Sequence, residues 1–299
     1  MRLRRFRVVG VLVGLGLGAA LGPAHEQPAC AAAQESAAQE SMAVHPWAFT
    51  SRETLLERVP TAPGFTRAAA PLGSFAAFLR TLPLAPRGTP VVDFRGAPLY
   101  DHGEHPNIAA VVDVDVGSRD LQQCADAVLR MNAEYRYGRG ERNVTYHAAS
   151  GLPLSYQRWL SGERVVIRDG KADLHAMAAP RSDSHVAMRT WLDDVFAWAN
   201  TSSLAREGTS VPWQDVRAGD FFVMQGSPFG HAVLVVDVAH DAEGRTALLL
   251  AQSYMPAQSF QVLTPGAGSP WFVVQKDDTH VKSPFWAPFP KTSLRRLPQ

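Results

Sequence analysis

The chain has 299 residues, with 29 Lys+Arg against 28 Asp+Glu; a formal net charge of +1 supplies no electrostatic footprint for nucleic acid. Hydrophobic content of 46% excludes a disordered chain, and the length allows a substantial core. Past the N-terminal segment, no apolar stretch is long enough to span a membrane.

Met1–Arg7 is basic and Val8–Leu21 is apolar and small, the pattern of a secretory signal. Ala31-Ala32-Ala33 fits an A-x-A cleavage site, with Ala24 as an earlier alternative, and Cys30 offers a lipoprotein alternative. The reading is a signal peptide over 1–33, a disordered Ala/Ser/Glu-rich leader over 34–43, and a single domain over 44–299 in an exported protein. Contact with a membrane would come only through a retained signal or a lipid anchor. Cleavage after Ala33 leaves Cys124 without a second cysteine; cleavage after Ala24 allows a Cys30–Cys124 disulfide.

Phe75, Phe78 and Leu79 recur at helical spacing, so Ser74–Leu82 reads as a short helix. Val91–Phe94 and Ile108–Val116 read as strands. Asp120 with Gln123 three residues on forms a capping-box pattern, which places Cys124 in the first turn of a helix continuing through Tyr135; Ser118 is a competing cap that would set the cysteine deeper in the helix. Residues 138–183 carry turns, an aromatic cluster at Tyr156–Trp159 and a hairpin around Asp169-Gly170. Ser184–Asn200 reads as a capped amphipathic helix. The last third is β: Gly219–Met224, His231–Val238 and Ala247–Tyr254, with shorter strands near 260–263, 271–275 and Leu294. The whole is α+β, a cysteine-bearing helix packed on a mostly antiparallel sheet.

Chemistry centres on Cys124. A thiol is most nucleophilic when ionised, and a helix N-terminus favours the thiolate. His231 is a candidate base that takes the thiol proton and returns it to a leaving amine. A four-residue turn at 241–244 would pair His240 with Arg245, which sets His231 opposite Tyr254 and diagonal to Gln252 on one face. Gln252 is then the candidate orienter of the imidazole, and a one-residue slip would replace it by Ser253. Gln122 or Gln123 could donate to an oxyanion, and Ser253 is a further candidate for that role or for positioning substrate.

These blocks resemble the papain-like amidases and peptidases, most closely their CHAP branch of cysteine, histidine-dependent amidohydrolases. The resemblance rests on Gln122-Gln123-Cys124, Gly219-Asp220-Phe221-Phe222, Gly230-His231-Ala232-Val233 and Ala251-Gln252-Ser253-Tyr254, across roughly 117–255. The orienting positions of that branch fall on Ala251 and Ser253, so Gln252 acts as a substitute. CHAP domains are small, and the long stretch between Cys124 and His231 implies an insertion around 140–183. Asp120–Ala127, Gly230–Val233 and Leu249–Gln258 also resemble the bacterial domain of unknown function 4846, across about 60–295; that family brings no established activity.

The resemblance implies a cell-envelope thiol hydrolase acting on amide bonds of a peptide or peptidoglycan-like substrate, without cofactor or metal. The alternative is a catalytically inactive envelope-binding or structural protein that keeps the fold. Cys124 then serves as a small buried apolar residue. His102-Gly103-Glu104-His105 is the best metal-site pattern, though Gly103 and Pro106 argue for a loop.

Overall fold

The computed structural model describes residues 45–226 and 229–299. The expected signal segment and leader, with Cys30, lie outside these residues. The helices are α1 (Leu55–Arg58), α2 (Phe75–Arg80), α3 (Cys124–Gly138), α4 (Tyr156–Leu160), α5 (His185–Trp198) and α6 (Thr201–Glu207). The first strands are β1 (Thr66–Arg67), β2 (Ile108–Val111), β3 (Thr145–His147), β4 (Pro153–Ser155), β5 (Glu163–Arg168), β6 (Lys171–Ala176), β7 (Thr209–Ser210) and β8 (Asp220–Met224). After them come β9 (His231–His240), β10 (Thr246–Gln252), β11 (Gln261–Leu263), β12 (Phe272–Val274), β13 (His280–Ser283), β14 (Trp286–Pro290) and β15 (Leu294–Arg296).

The molecule is α+β with an antiparallel central sheet. Nine strands run in the order β2-β11-β10-β9-β8-β15-β7, with β1 added on β9 and β12 on β10. The two central strands are buried on both faces. Ala232, Leu234, Val236, Leu249 and Ala251 join one core with Val128 and Leu129 of α3. Val233, Val235, Leu248 and Leu250 join a second core with Phe222 and with Phe289 of the β13–β14 hairpin. Apolar side chains on both faces give a continuous hydrophobic run where a half-exposed strand would alternate.

Local signals set many of the element ends. The Ser74 hydroxyl accepts from the N–H of Ala77 and starts α2; Ser184 does the same for α5 through Ala187. Between β5 and β6, Arg168 pairs with Lys171, so Asp169 and Gly170 alone make the turn. Their φ values of +51° and +74° suit the tight hairpin type that needs left-handed residues. The 140–183 stretch thus forms the β3–β4 ladder, α4 and the β5–β6 hairpin.

Three expectations change. Val91–Phe94 is no strand: Val92 and Asp93 make isolated bridges, and the Asp93 carboxylate closes a turn by accepting from the N–H of Arg95 and Ala97. The strand from Ile108 stops at Val111, because Asp113 turns out of the sheet to bind the N–H groups of Thr50 and Ser51. Helix α3 starts at Cys124, with Gln123 as its N-cap. Asp120 is drawn away by the N–H of Ala257, which it accepts at 2.7 Å.

Candidate active site

Cys124 is the first residue of α3. Its preceding N-cap, Gln123, is extended, and the Asp126 carboxylate accepts the Gln123 N–H at 3.1 Å. The thiol is free and 6% exposed. The backbone N–H groups of Ala232, Ala125 and Cys124 itself are directed at the sulfur and favour the thiolate. Burial outweighs them. It pushes the thiol up to about 11, and the Asp126 carboxyl adds to the rise. Asp126 is itself pushed up to about 8 by burial, against the N–H groups of Gln123 and Asp126 that favour its ionised form.

His231 opens β9, one residue from the Ala232 N–H that addresses the sulfur. Gln252 closes β10, and its Oε1 lies 2.7 Å from His231 Nε2. An acceptor there requires the proton on Nε2 and leaves Nδ1 as the basic nitrogen. Nδ1 has no hydrogen-bond partner among the described residues, Cys124 included. The imidazole is fully buried against the rings of Tyr254, Trp286 and Phe289, at 5.1, 5.0 and 6.0 Å. Burial lowers its pKa to about 4, with the Gln252 hydrogen bond opposing. Thiol and imidazole both rest uncharged.

The strand register behind this pairing contains two offsetting departures. At the turn, His240 pairs with Thr246 rather than with Arg245. Between Leu249 and Leu250 the partner then jumps from Asp237 to Val235, so Val236 is an extra residue in β9. The bulge shifts the pairing by one and returns Gln252 to the face of His231. It also turns Asp237 toward Arg67 and Arg80, at 2.7 Å each.

The remaining sequence-derived residues scatter around this centre. Gln123 lines a cleft of about 250 Å³ with Cys124, Asp126, Asn200, Phe229 and Met255. Gln122 faces away: its Oε1 accepts from Arg130 at 2.8 Å and its Nε2 donates to the Asp115 carbonyl at 3.4 Å. Its expected place at an oxyanion is therefore corrected, since both ends of the amide are committed inside the protein. The Ser253 hydroxyl reaches the carbonyls of Gln122 and Gln258 at 2.8 and 2.7 Å. It pins the end of β10 to the loop before the cysteine, so its expected place at an oxyanion or substrate is corrected as well: the hydroxyl is fully buried and committed.

Asp126, Trp286 and Gln261 belong to this neighbourhood and escaped the sequence reading. Asp126 had a signal, since it lies three residues after the true N-cap. Trp286 had none, because only the fold brings the C-terminal hairpin over His231. Of the loop histidines, His102 is exposed and His105 packs on Tyr100 and Phe285. Among the described residues no three His, Cys, Asp or Glu side chains group as for a metal ion. Larger clefts of about 570 and 700 Å³ lie around Arg58 and Arg87, and neither is lined by a cysteine. Among the described residues no helix is long and apolar enough to cross a membrane.

A family model described as "Domain of unknown function (4846)" matches residues 55–296. No curated protein and no solved structure matches the chain.

Proposed function

The chain belongs to the domain of unknown function 4846 family, and since that membership names no reaction, we propose from the site itself that it is a thiol hydrolase of amide bonds. The observation that carries the reading is the 2.7 Å contact from His231 Nε2 to Gln252 Oε1, which leaves Nδ1 free on the residue next to Ala232, whose N–H addresses Cys124. Order along the chain agrees with a papain-like or CHAP-like relationship: a cysteine at a helix start, then a histidine strand, then an antiparallel strand carrying an orienting amide.

The chemistry runs in two halves. His231 Nδ1 takes the Cys124 proton as the sulfur attacks the substrate carbonyl carbon. Negative charge collects on the carbonyl oxygen, where the Cys124 N–H at the helix start can donate once it leaves the sulfur, and the Gln123 amide once it leaves Asp120 Oδ1, to which its Nε2 donates at 3.1 Å. The imidazolium gives its proton to the leaving amine as the C–N bond breaks, which leaves a thioester. Water, deprotonated by the same Nδ1, then attacks the thioester; the carboxylic acid departs and the thiol regains its proton. Gln252 holds Nε2–H throughout. A resting pair without charge suits this sequence, because the proton moves only as the sulfur attacks.

The substrate class is a peptide amide, with peptidoglycan peptides in an exported setting as the first to test. Wild-type protein is expected to cleave such amides through a thioester trapped by acid quench and mass spectrometry. His231→Ala should lower the rate by about 10²- to 10⁴-fold, the usual worth of a general base. Cys124→Ala should form no covalent adduct. A second reading, a binding protein without chemistry, is favoured by the thiol raised to about 11 and the sealed imidazole. It prevails if iodoacetamide labels Cys124 no faster than a free cysteine peptide near neutral pH and no thioester accumulates.

A further inference from the structure

Gln252 is paired across the sheet with Gln261 of β11. Directly opposed residues of an antiparallel ladder share a face, and their side chains are neighbours. Both glutamines are at most 1% exposed. Gln252 Nε2, Gln261 Nε2, Gln261 Oε1 and His231 Nδ1 are buried without a hydrogen-bond partner among the described residues. On its other side Gln261 pairs with Val111, which offers no polar side chain. The neighbouring polar group across the ladder is therefore the amide of Gln252, whose free N–H₂ matches the free Oε1 of Gln261.

We propose that Gln261 is a positioning residue: its Oε1 accepts from Gln252 Nε2, and this amide pair fixes the tautomer of His231. A glutamine amide has one accepting and one donating end, and neighbouring hydrogen bonds decide which way it points. With the Gln252 N–H₂ turned to Gln261, its oxygen faces His231 and the imidazole carries its proton on Nε2. With the amide reversed, an N–H would face Nε2, the ring proton would move to Nδ1, and Nδ1 would cease to be a base. A rotation of the Gln261 side chain closes the pair. The consequence for catalysis rests on the hydrolase reading above; the tautomer itself does not.

The test is nitrogen NMR on protein labelled at histidine, with the His231 signal identified by its absence in His231→Gln. Wild type should show His231 as the single Nε2–H tautomer. Gln261→Leu should show loss of that single form and appearance of the Nδ1–H form. Gln261→Glu keeps an accepting oxygen in either ionisation state and should restore the Nε2–H form. An unchanged His231 signal in Gln261→Leu overturns the proposal. Should Gln261→Leu not fold, wild type still decides: an Overhauser contact between the Gln252 amide protons and the Gln261 side chain supports the pair, and its absence overturns it. A tautomer shift in a protein that cleaves no amide leaves the positioning intact and removes the hydrolase.

Discussion

Two buried polar clusters, one on the cysteine helix and one on the strands β9 to β11, differ in how fully they are paired, and their contrast separates architecture from chemistry. Around Arg130, which is fully buried, every strong group is paired. The guanidinium donates to Glu134 at 2.6 Å, Gln122 at 2.8 Å and Asp115 at 2.9 Å. Glu134 also takes His185 Nε2 at 2.8 Å, and Arg189 reaches Asp115 at 3.2 Å. Around His231 a single 2.7 Å bond to Gln252 is formed, and four polar atoms stand unpaired. A buried charge without a partner is too costly to persist, so the ionic cluster is closed and holds α3 to the loop before Cys124 and to α5. Neutral groups left unpaired cost less, and that margin lets a site keep a free basic nitrogen.

Removing one member of the closed cluster is the hardest blow. Glu134→Gln leaves Arg130 short of a charge partner and should cost about 3–5 kcal/mol, read by urea unfolding at neutral pH. A loss under about 1 kcal/mol would place the two clusters on an equal footing, as replaceable packing.

The open cluster should reveal itself by pH. His231 has a folded pKa of about 4 against its ordinary 6.5, so the unfolded chain binds a proton first. Its contribution is whole above 6.5 and drains as pH falls through 4, by about 3 kcal/mol. His45 is lowered to about 4 as well, chiefly by burial, and drains over the same window. Comparison of wild type with His231→Gln isolates the first: the variant should lose about 3 kcal/mol less between pH 7 and 4. Parallel curves would mean that the imidazole is not held neutral.

The smallest effect tests the link between the strand end and the cysteine loop. Ser253→Ala deletes the hydroxyl that holds the Gln122 and Gln258 carbonyls and should cost about 1–2 kcal/mol in thermal unfolding. If this pin positions the nucleophile, Cys124 alkylation should also change rate; an unchanged rate would confine Ser253 to stability.

Much of the framework was legible. Ser74 and Ser184 signal their helices because a side-chain oxygen satisfies free N–H groups within three residues. Asp169-Gly170 signals its hairpin through backbone conformations few other residues adopt. The cap at Asp120 misled for the opposite reason: its partner, the N–H of Ala257, is distant in sequence. The same holds for Gln122, whose amide is claimed by Arg130.

By itself, then, the sequence determined the α+β class, a helix carrying the cysteine near its start, the strands of His231 and Gln252, and the face on which those two meet. That face was reached through a wrong turn register that the bulge at Val236 cancelled, since side-chain alternation preserves parity only when irregularities come in pairs. Tertiary structure alone decided the rest: the aromatic lid of Trp286 and Phe289, the uncharged resting thiol and imidazole, and the Gln252–Gln261 neighbours. The physical reason is range. Capping and alternation act within a few residues of one another, whereas desolvation depends on every element that closes over a side chain.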